Sequence, residues 1–160
     1  MKSKLMQAAA GTILGLMILI GGTHREAFGQ RVENAPPTIE GVWRNQVTVR
    51  DCQSSTVLAT FSGLLTYHQG GTISETTATF FRSPGYGIWN RTRGRNYIGK
   101  FTFFTFNPDG TPSGSQKVNQ NIVISQYGDN LTDTATAEIY DTGGNLLITV
   151  CASANATRFE

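Results

Sequence analysis

The sequence predicts an all-β fold: a single eight-stranded antiparallel up-and-down barrel, first and last strands paired, with little or no helix in the mature chain. Three observations predict it. After Ile39 the side chains alternate with period two, and no stretch shows the spacing of an amphipathic helix. Glycine-rich turn signals recur at short, regular intervals, which argues for a meander closed as a barrel or for a sandwich. The chain's two cysteines fall at the end of the first candidate strand, Cys52, and on the last, Cys151, and joining those strands closes a barrel.

Residues 1–29 read as a secretory signal peptide. Lys2 and Lys4 give a positive start, Ala8 to Ile20 a short apolar run, and Ala27-Phe28-Gly29 small residues ahead of a cleavage point before Gln30. The run is shorter than the roughly 20 apolar residues of a membrane span, so no stable membrane insertion is expected after cleavage; an uncleaved anchor is the alternative. The expected location is secreted or periplasmic. Residues 30–38 (QRVENAPPT) are polar with two prolines and read as an extended N-terminal arm. Residues 39–160 are left as one β-barrel domain.

The leader carries three of the 13 basic and one of the 11 acidic residues, so ten of each remain in the mature chain. A net charge near zero removes the basic footprint that nucleic-acid binding needs. Candidate strands cover 41–51, 56–68, 72–80, 86–92, 96–106, 115–125, 130–141 and 145–159. The breaks between them include Gln69-Gly70-Gly71, Thr92-Arg93-Gly94, Asn107-Pro108-Asp109-Gly110, Tyr127-Gly128-Asp129 and Gly143-Gly144-Asn145, where tight turns need positive φ.

Alternation assigns the faces. Trp43, Val47 and Val49 share one side of the first strand, and Arg44, Gln46, Thr48, Arg50 and Cys52 take the other. On the last strand Val150, Ala152, Ala154, Ala156 and Arg158 oppose Thr149, Cys151, Ser153, Asn155 and Thr157. In an exported protein the two cysteines are expected as a Cys52–Cys151 disulfide; two free thiols are the alternative in a reducing compartment. Placing Cys52 directly opposite Cys151 puts Trp43 opposite Glu160, with Arg158 within diagonal reach of the indole.

Gly41-Val42-Trp43 on the first strand, with Arg158 at the end of the last, resembles the signature of lipocalins and the wider calycin group. The resemblance implies that Gly41, Trp43 and Arg158 are structural. The Trp plugs the closed end of an eight-stranded barrel, and the Arg lies across it by cation–π stacking and by closing off carbonyls. A second stretch, Pro84-Gly85-Tyr86-Gly87-Ile88-Trp89 with Tyr97, Lys100-Phe101 to Phe106 and Asp109-Gly110, resembles an uncharacterised group of small secreted bacterial β-barrel proteins. Its hairpin pattern is also similar to that of allene oxide cyclase and dirigent barrels. No catalytic residue of those families is matched.

Tyr97, Phe101 and Phe103 share a face with Gly99; Phe61, Leu65 and Tyr67 share one with Gly63. They are candidates for the lining of a barrel that takes a small hydrophobic ligand, with the alternative of an aromatic-packed interior in which the small residues fit the taper. Gln116 and Gln120 lie among Val118, Ile122 and Ile124; Gln120 is a candidate for orienting a ligand's polar end, or for bonding across the barrel. Phe104 and Phe106, on the other side of their strand, suggest a homo-oligomer surface or a bulge that turns them inward. Arg91, Arg93 and Arg95 read as a solvated turn, and His68 as a surface turn histidine to which no spacing links Glu75, Asp133 or Asp141. Three sequons, beginning at Asn90, Asn130 and Asn155, matter only in a glycosylating host.

No cofactor, metal site or catalytic residue is assigned. The expected function is non-catalytic binding of a small hydrophobic molecule in the barrel. The alternatives are a cyclase- or isomerase-type barrel enzyme, and a structural or interaction protein with a filled core. A cavity would separate the first two from the third. An inward carboxylate with a raised pKa would favour the enzyme over the binder.

Overall fold

The structure, a computed structural model, describes residues 37–159. The expected signal peptide, most of the expected N-terminal arm and Glu160 lie outside the described residues. The strands are β1 (Gly41–Arg50), β2 (Val57–His68), β3 (Thr72–Thr77), β4 (Gly85–Arg93), β5 (Asn96–Phe106), β6 (Pro112–Ile124), β7 (Asn130–Tyr140) and β8 (Leu146–Arg158). Each pairs antiparallel with the next, and β8 returns to β1, so the sheet closes as an eight-stranded barrel. Among the described residues there is no helix.

The seam between β1 and β8 runs from Trp43↔Arg158 to Arg50↔Cys151. Its parity is the expected one, but its register is displaced by two residues, so Trp43 faces Arg158 rather than Glu160. The cause is local. Cys52 does not sit in the ladder, because the chain turns at Asp51. The Asp51 Oδ1 accepts hydrogen bonds from the backbone N–H groups of Gln53 and Ser54 at 2.9 and 2.7 Å, an Asx-type turn. Cys52 leaves the strand end and comes back alongside Cys151, with the Cα atoms 5.0 Å apart in the disulfide.

The third strand stops at Thr77, short of its expected end. Residues 78–84 form a strap instead. The Ala78 N–H donates to the Ser62 carbonyl at 2.9 Å, and further along the Ser83 N–H donates to Phe104 and the Phe106 N–H to Phe81. The strap thereby links the upper parts of β2 and β5 where β3 and β4 fall short. Phe81 sits at φ 64°, a conformation that costs a bulky residue energy and is held here by those backbone bonds.

One end of the barrel is sealed. Ile39 and Trp43 are fully buried there, and the Trp43 indole N–H donates to the Ile39 carbonyl at 2.7 Å. Leu65, Tyr67, Ile73, Tyr97, Ile122, Ile124, Leu131 and Ala156 complete this core. Trp89 packs edge-on against Tyr67 and Tyr97, with ring centres 6.3 and 5.7 Å away. Each large side chain so buried contributes roughly 1.5–3 kcal/mol relative to exposure. This plug is the floor on which the upper half of the barrel stands.

Phe104 points outward and is exposed, while a bulge at Thr105/Phe106 leaves Phe106 half-buried.

Candidate functional site

Above the sealed core the barrel holds a cavity of about 420 Å³, within the range of roughly 300–1,000 Å³ typical of small-molecule sites. Its walls are largely apolar: Val47 and Val49 from β1, Phe61 from β2, Phe101 and Phe103 from β5, Val118 from β6, and Ala137 and Val150 from the closing strands. The alanines Ala135, Ala137, Ala152 and Ala154 leave the space that larger side chains would fill. It reaches the surface at the mouth, where Leu58, Phe80 and Phe81 line it and are themselves exposed.

Of the lining residues expected from the sequence, Phe61, Leu65, Phe101, Phe103 and Gln120 line this cavity. Tyr67 and Tyr97 do not; both are packed in the sealed core, a level lower. Gln116 lines the cavity with Gln120.

Of the polar floor, sequence reasoning picks out Gln120, passes over Asn45, and takes Glu75 and Asp133 only as acids that no spacing links to His68. Asn45, Glu75, Gln120 and Asp133 are all buried inside the barrel. Each stands beside a cross-strand partner with little or no side chain: Asn45 opposite Gly63, Glu75 opposite Gly85, Gln120 opposite Gly99 and Asp133 opposite Ala154. The space is needed. A Cβ on Gly63 would stand 2.6 Å from Asn45 Oδ1, one on Gly99 2.6 Å from Gln120 Oε1, and one on Gly85 2.9 Å from Glu75 Oε2. The signal was present in the parity. Asn45 is two residues from Trp43, Glu75 two from Ile73, and Asp133 two from Leu131, so each shares a face with a core residue.

Two different electrostatic arrangements result. Glu75 is paired with Arg82, which the strap brings into the barrel wall, and the Arg82 guanidinium also lies 3.4 Å from the centre of the Phe103 ring. Burial pushes the Glu75 carboxyl up and the Arg82 guanidinium down, and each is pulled back by the other. Asp133 has a neutral partner: Gln120 donates from Nε2 to Asp133 Oδ2 at 2.5 Å. Burial pushes its pKa up to about 7, and the Gln120 bond opposes the rise. The Tyr67 hydroxyl lies within electrostatic range below, pushed up by burial and then by the Asp133 charge. Four atoms of this layer are buried without a hydrogen-bond partner: Asn45 Oδ1, Tyr67 Oη, Gln120 Oε1 and Asp133 Oδ1.

His68 is exposed, its Nε2 2.9 Å from Ser74 Oγ. Its three candidate acids are not brought to one place: Glu75 and Asp133 are inside the barrel, and Asp141 caps the turn between β7 and β8 through Asn145. Arg91, Arg93 and Arg95 are exposed around the turn between β4 and β5, where Arg91 Nε donates to the Gly94 carbonyl at 2.5 Å. Among the described residues no group of three or more His, Cys, Asp or Glu could hold a metal ion, and no helix is long and apolar enough to cross a membrane.

Fold and site together define a class: a disulfide-bonded, closed antiparallel barrel, sealed at one end and opening at the other into an apolar cavity with a polar floor. No protein-family model matches the chain, and no curated protein matches it.

Proposed function

We propose that this is a secreted or periplasmic, calycin-like barrel that binds a small, largely apolar molecule in its cavity without changing it. The observation that carries the reading is the apolar cavity of about 420 Å³, open at the mouth. Hydrophobic walls supply affinity in proportion to the area they desolvate, and a few polar groups set orientation. The disulfide and the leader-like start of the sequence support export. A filled-core structural protein has no use for such a space.

The cyclase or isomerase reading is favoured by one observation, the inward Asp133 carboxyl with its pKa pushed up to about 7, the range of a general acid or base. Against it stands the character of the floor. Three of its four unpartnered atoms are carbonyl or carboxylate oxygens, whereas stabilising a developing oxyanion needs donors.

The test uses the full chain and the neutral fluorescent probe N-phenylnaphthylamine. Saturable binding by the wild type, and its loss when Ala152→Phe fills the cavity, is the expected outcome. Equal uptake by both, or none by either, removes the reading. Conversion of a bound substrate that Asp133→Asn abolishes would replace it with the enzyme.

A further inference from the structure

We propose that the cavity's ligand is a lipophilic primary amine that enters polar end first and is held as an ammonium by Asn45 Oδ1, Gln120 Oε1 and Asp133 Oδ1. This rests on the reading of the cavity as a ligand site.

The argument begins with the chemistry of the unpartnered atoms. All three are buried oxygens of residues that line the cavity, and those residues are 5, 5 and 6 % exposed. The orientation of the Gln120 amide is fixed from the other side. Its Nε2 donates to Asp133 Oδ2, and a flip would set an amide oxygen against a carboxylate oxygen. Its Oε1 is therefore held as an acceptor on the side away from Asp133 Oδ2. Each buried acceptor without a partner costs roughly 1–3 kcal/mol, so three in one layer are a standing cost, of which the single proton of the Tyr67 hydroxyl beside them can relieve one at most. The small residues at Gly63, Gly99 and Ala154 keep the layer open, since side chains there would press on the oxygens or cover them.

The head group follows by elimination. A carboxylate would bring further acceptors and a like charge to Asp133. A hydroxyl has one proton for three oxygens. A primary ammonium has three protons and the charge that Asp133 lacks. The cation that lines the cavity, Arg82, is held by Glu75 and the Phe103 ring. A hard metal ion would ask for several carboxylates; of the two buried here Glu75 is taken by Arg82, which leaves Asp133. The walls of Val47, Phe61, Phe103 and Val150 ask for hydrocarbon on the remainder of the ligand. Burial of Asp133 pushes its pKa up, and an ammonium in contact would bring it back down.

The experiment is calorimetric titration of the full chain, at mildly alkaline pH, with four probes of one hydrocarbon length: decylamine, decanol, decanoate and decyltrimethylammonium. Decylamine is expected to bind at least about tenfold more tightly than decanol, with decanoate weaker than both. Decyltrimethylammonium, charged but without N–H donors, is expected to lose at least about tenfold against decylamine. Asp133→Asn is expected to bring the ratio of decylamine to decanol affinity down to within about threefold of unity. Decanol binding as well as decylamine, decanoate binding best, or a trimethylammonium head binding as well as the primary amine overturns the proposal on the unmodified chain and leaves the cavity reading standing. An amine preference that survives in folded Asp133→Asn does the same. If none of the four binds, the cavity reading falls first and this inference with it.

Discussion

Arg158 lies directly opposite Trp43 across the seam between the last and first strands, its guanidinium 4.2 Å from the centre of the indole ring. The same group donates to three carbonyls: from Nε to Gly128 at 2.7 Å, from Nη1 to Glu40 at 2.6 Å and from Nη2 to Thr38 at 2.7 Å. One side chain thus ties β8 to the turn between β6 and β7 and to the chain leading into β1. Charged donors contribute roughly 1.5–3 kcal/mol each and do not add fully. Arg158→Ala is therefore expected to cost about 3–4 kcal/mol, read as a fall in the urea midpoint at unchanged slope. Arg158→Lys is expected to recover less than half, since a point charge cannot reach three carbonyls in the fixed directions of a planar fork. A lysine variant as stable as the wild type would show that charge alone seals the barrel.

The disulfide closes 99 residues of chain. Loop-closure entropy assigns about 4–5 kcal/mol to a loop of that length. The ladder from Trp43 to Arg50 holds the same seam independently. Cys52→Ala with Cys151→Ala is expected to lower stability by roughly 3–5 kcal/mol while leaving the barrel's far-ultraviolet circular dichroism intact. Loss of the β spectrum at neutral pH and room temperature would mean that the seam depends on sulfur rather than on the ladder.

Much of this architecture was legible because strand chemistry is local. Period two, turn glycines and the parity of Trp43, Val47 and Val49 against the alanines of the last strand depend on neighbours one or two residues away. The seam's exact register was not legible. Pairing the cysteines directly assumed that Cys52 belongs to the ladder, and the Asp51 side chain decides otherwise by capturing the backbone N–H groups of the next residues. Residues 78–80, the start of the strap, read as the end of a strand because Thr79 and Phe80 continue its composition; what diverts the strap is pairing with β5, distant in sequence.

Two glycines on facing strands make an ordered pair of predictions. A Cβ on Gly87 would lie 1.9 Å from the Lys100 carbonyl oxygen, a backbone atom that cannot move without parting β4 from β5. A Cβ on Gly99 would meet Gln120 Oε1 at 2.6 Å and Ile73 Cδ1 at 3.2 Å, both far ends of side chains that can give by a few tenths of an ångström without parting two strands. Gly99→Ala is expected to cost roughly 1–3 kcal/mol, as overpacking does. Gly87→Ala is expected to cost more, or to prevent folding. Thermal unfolding of the two variants side by side checks the order, and the reverse order would refute it.

The site was less legible than the fold for two physical reasons. Alternation gives the face on which a side chain lies but not its height in the barrel, which is set by the stagger of all eight strands. Tyr67 and Tyr97 therefore shared a face with the cavity residues and yet belong to the plug below them. Apolar residues also mark an inward face more plainly than polar ones do. Asn45 and Asp133 sit between flanking polar residues, and their burial depends on the small residues opposite, Gly63 and Ala154, which are distant in sequence.

Asp133 gives the molecule a pH dependence whose sign is fixed by burial. Its carboxyl titrates at about 7 in the folded chain, against an ordinary value of 3.8. Between those values the folded state holds a proton that the unfolded state has released, so stability falls as pH rises through the window and levels off above it. The groups around it do not reverse the sign. Gln120 on β6 and Asn45 on β1 do not titrate, and the Tyr67 phenol on β2 is pushed upward, away from this range. Glu75 on β3, raised by burial and restrained by Arg82, adds in the same direction. The exposed carboxylates whose pKa values are lowered, Asp51, Asp109, Asp129 and Asp141, act with the opposite sign but below 3.8. A comparison of unfolding free energies at pH 5 and pH 8 therefore isolates the buried acids, and the protein is expected to be less stable at pH 8 by about 2–3 kcal/mol. Asp133→Asn is expected to remove most of that difference, gaining stability relative to the wild type at pH 8. Equal stability at the two pH values would mean that Asp133 is already ionised in the folded barrel at pH 5, and that the floor carries a permanent charge.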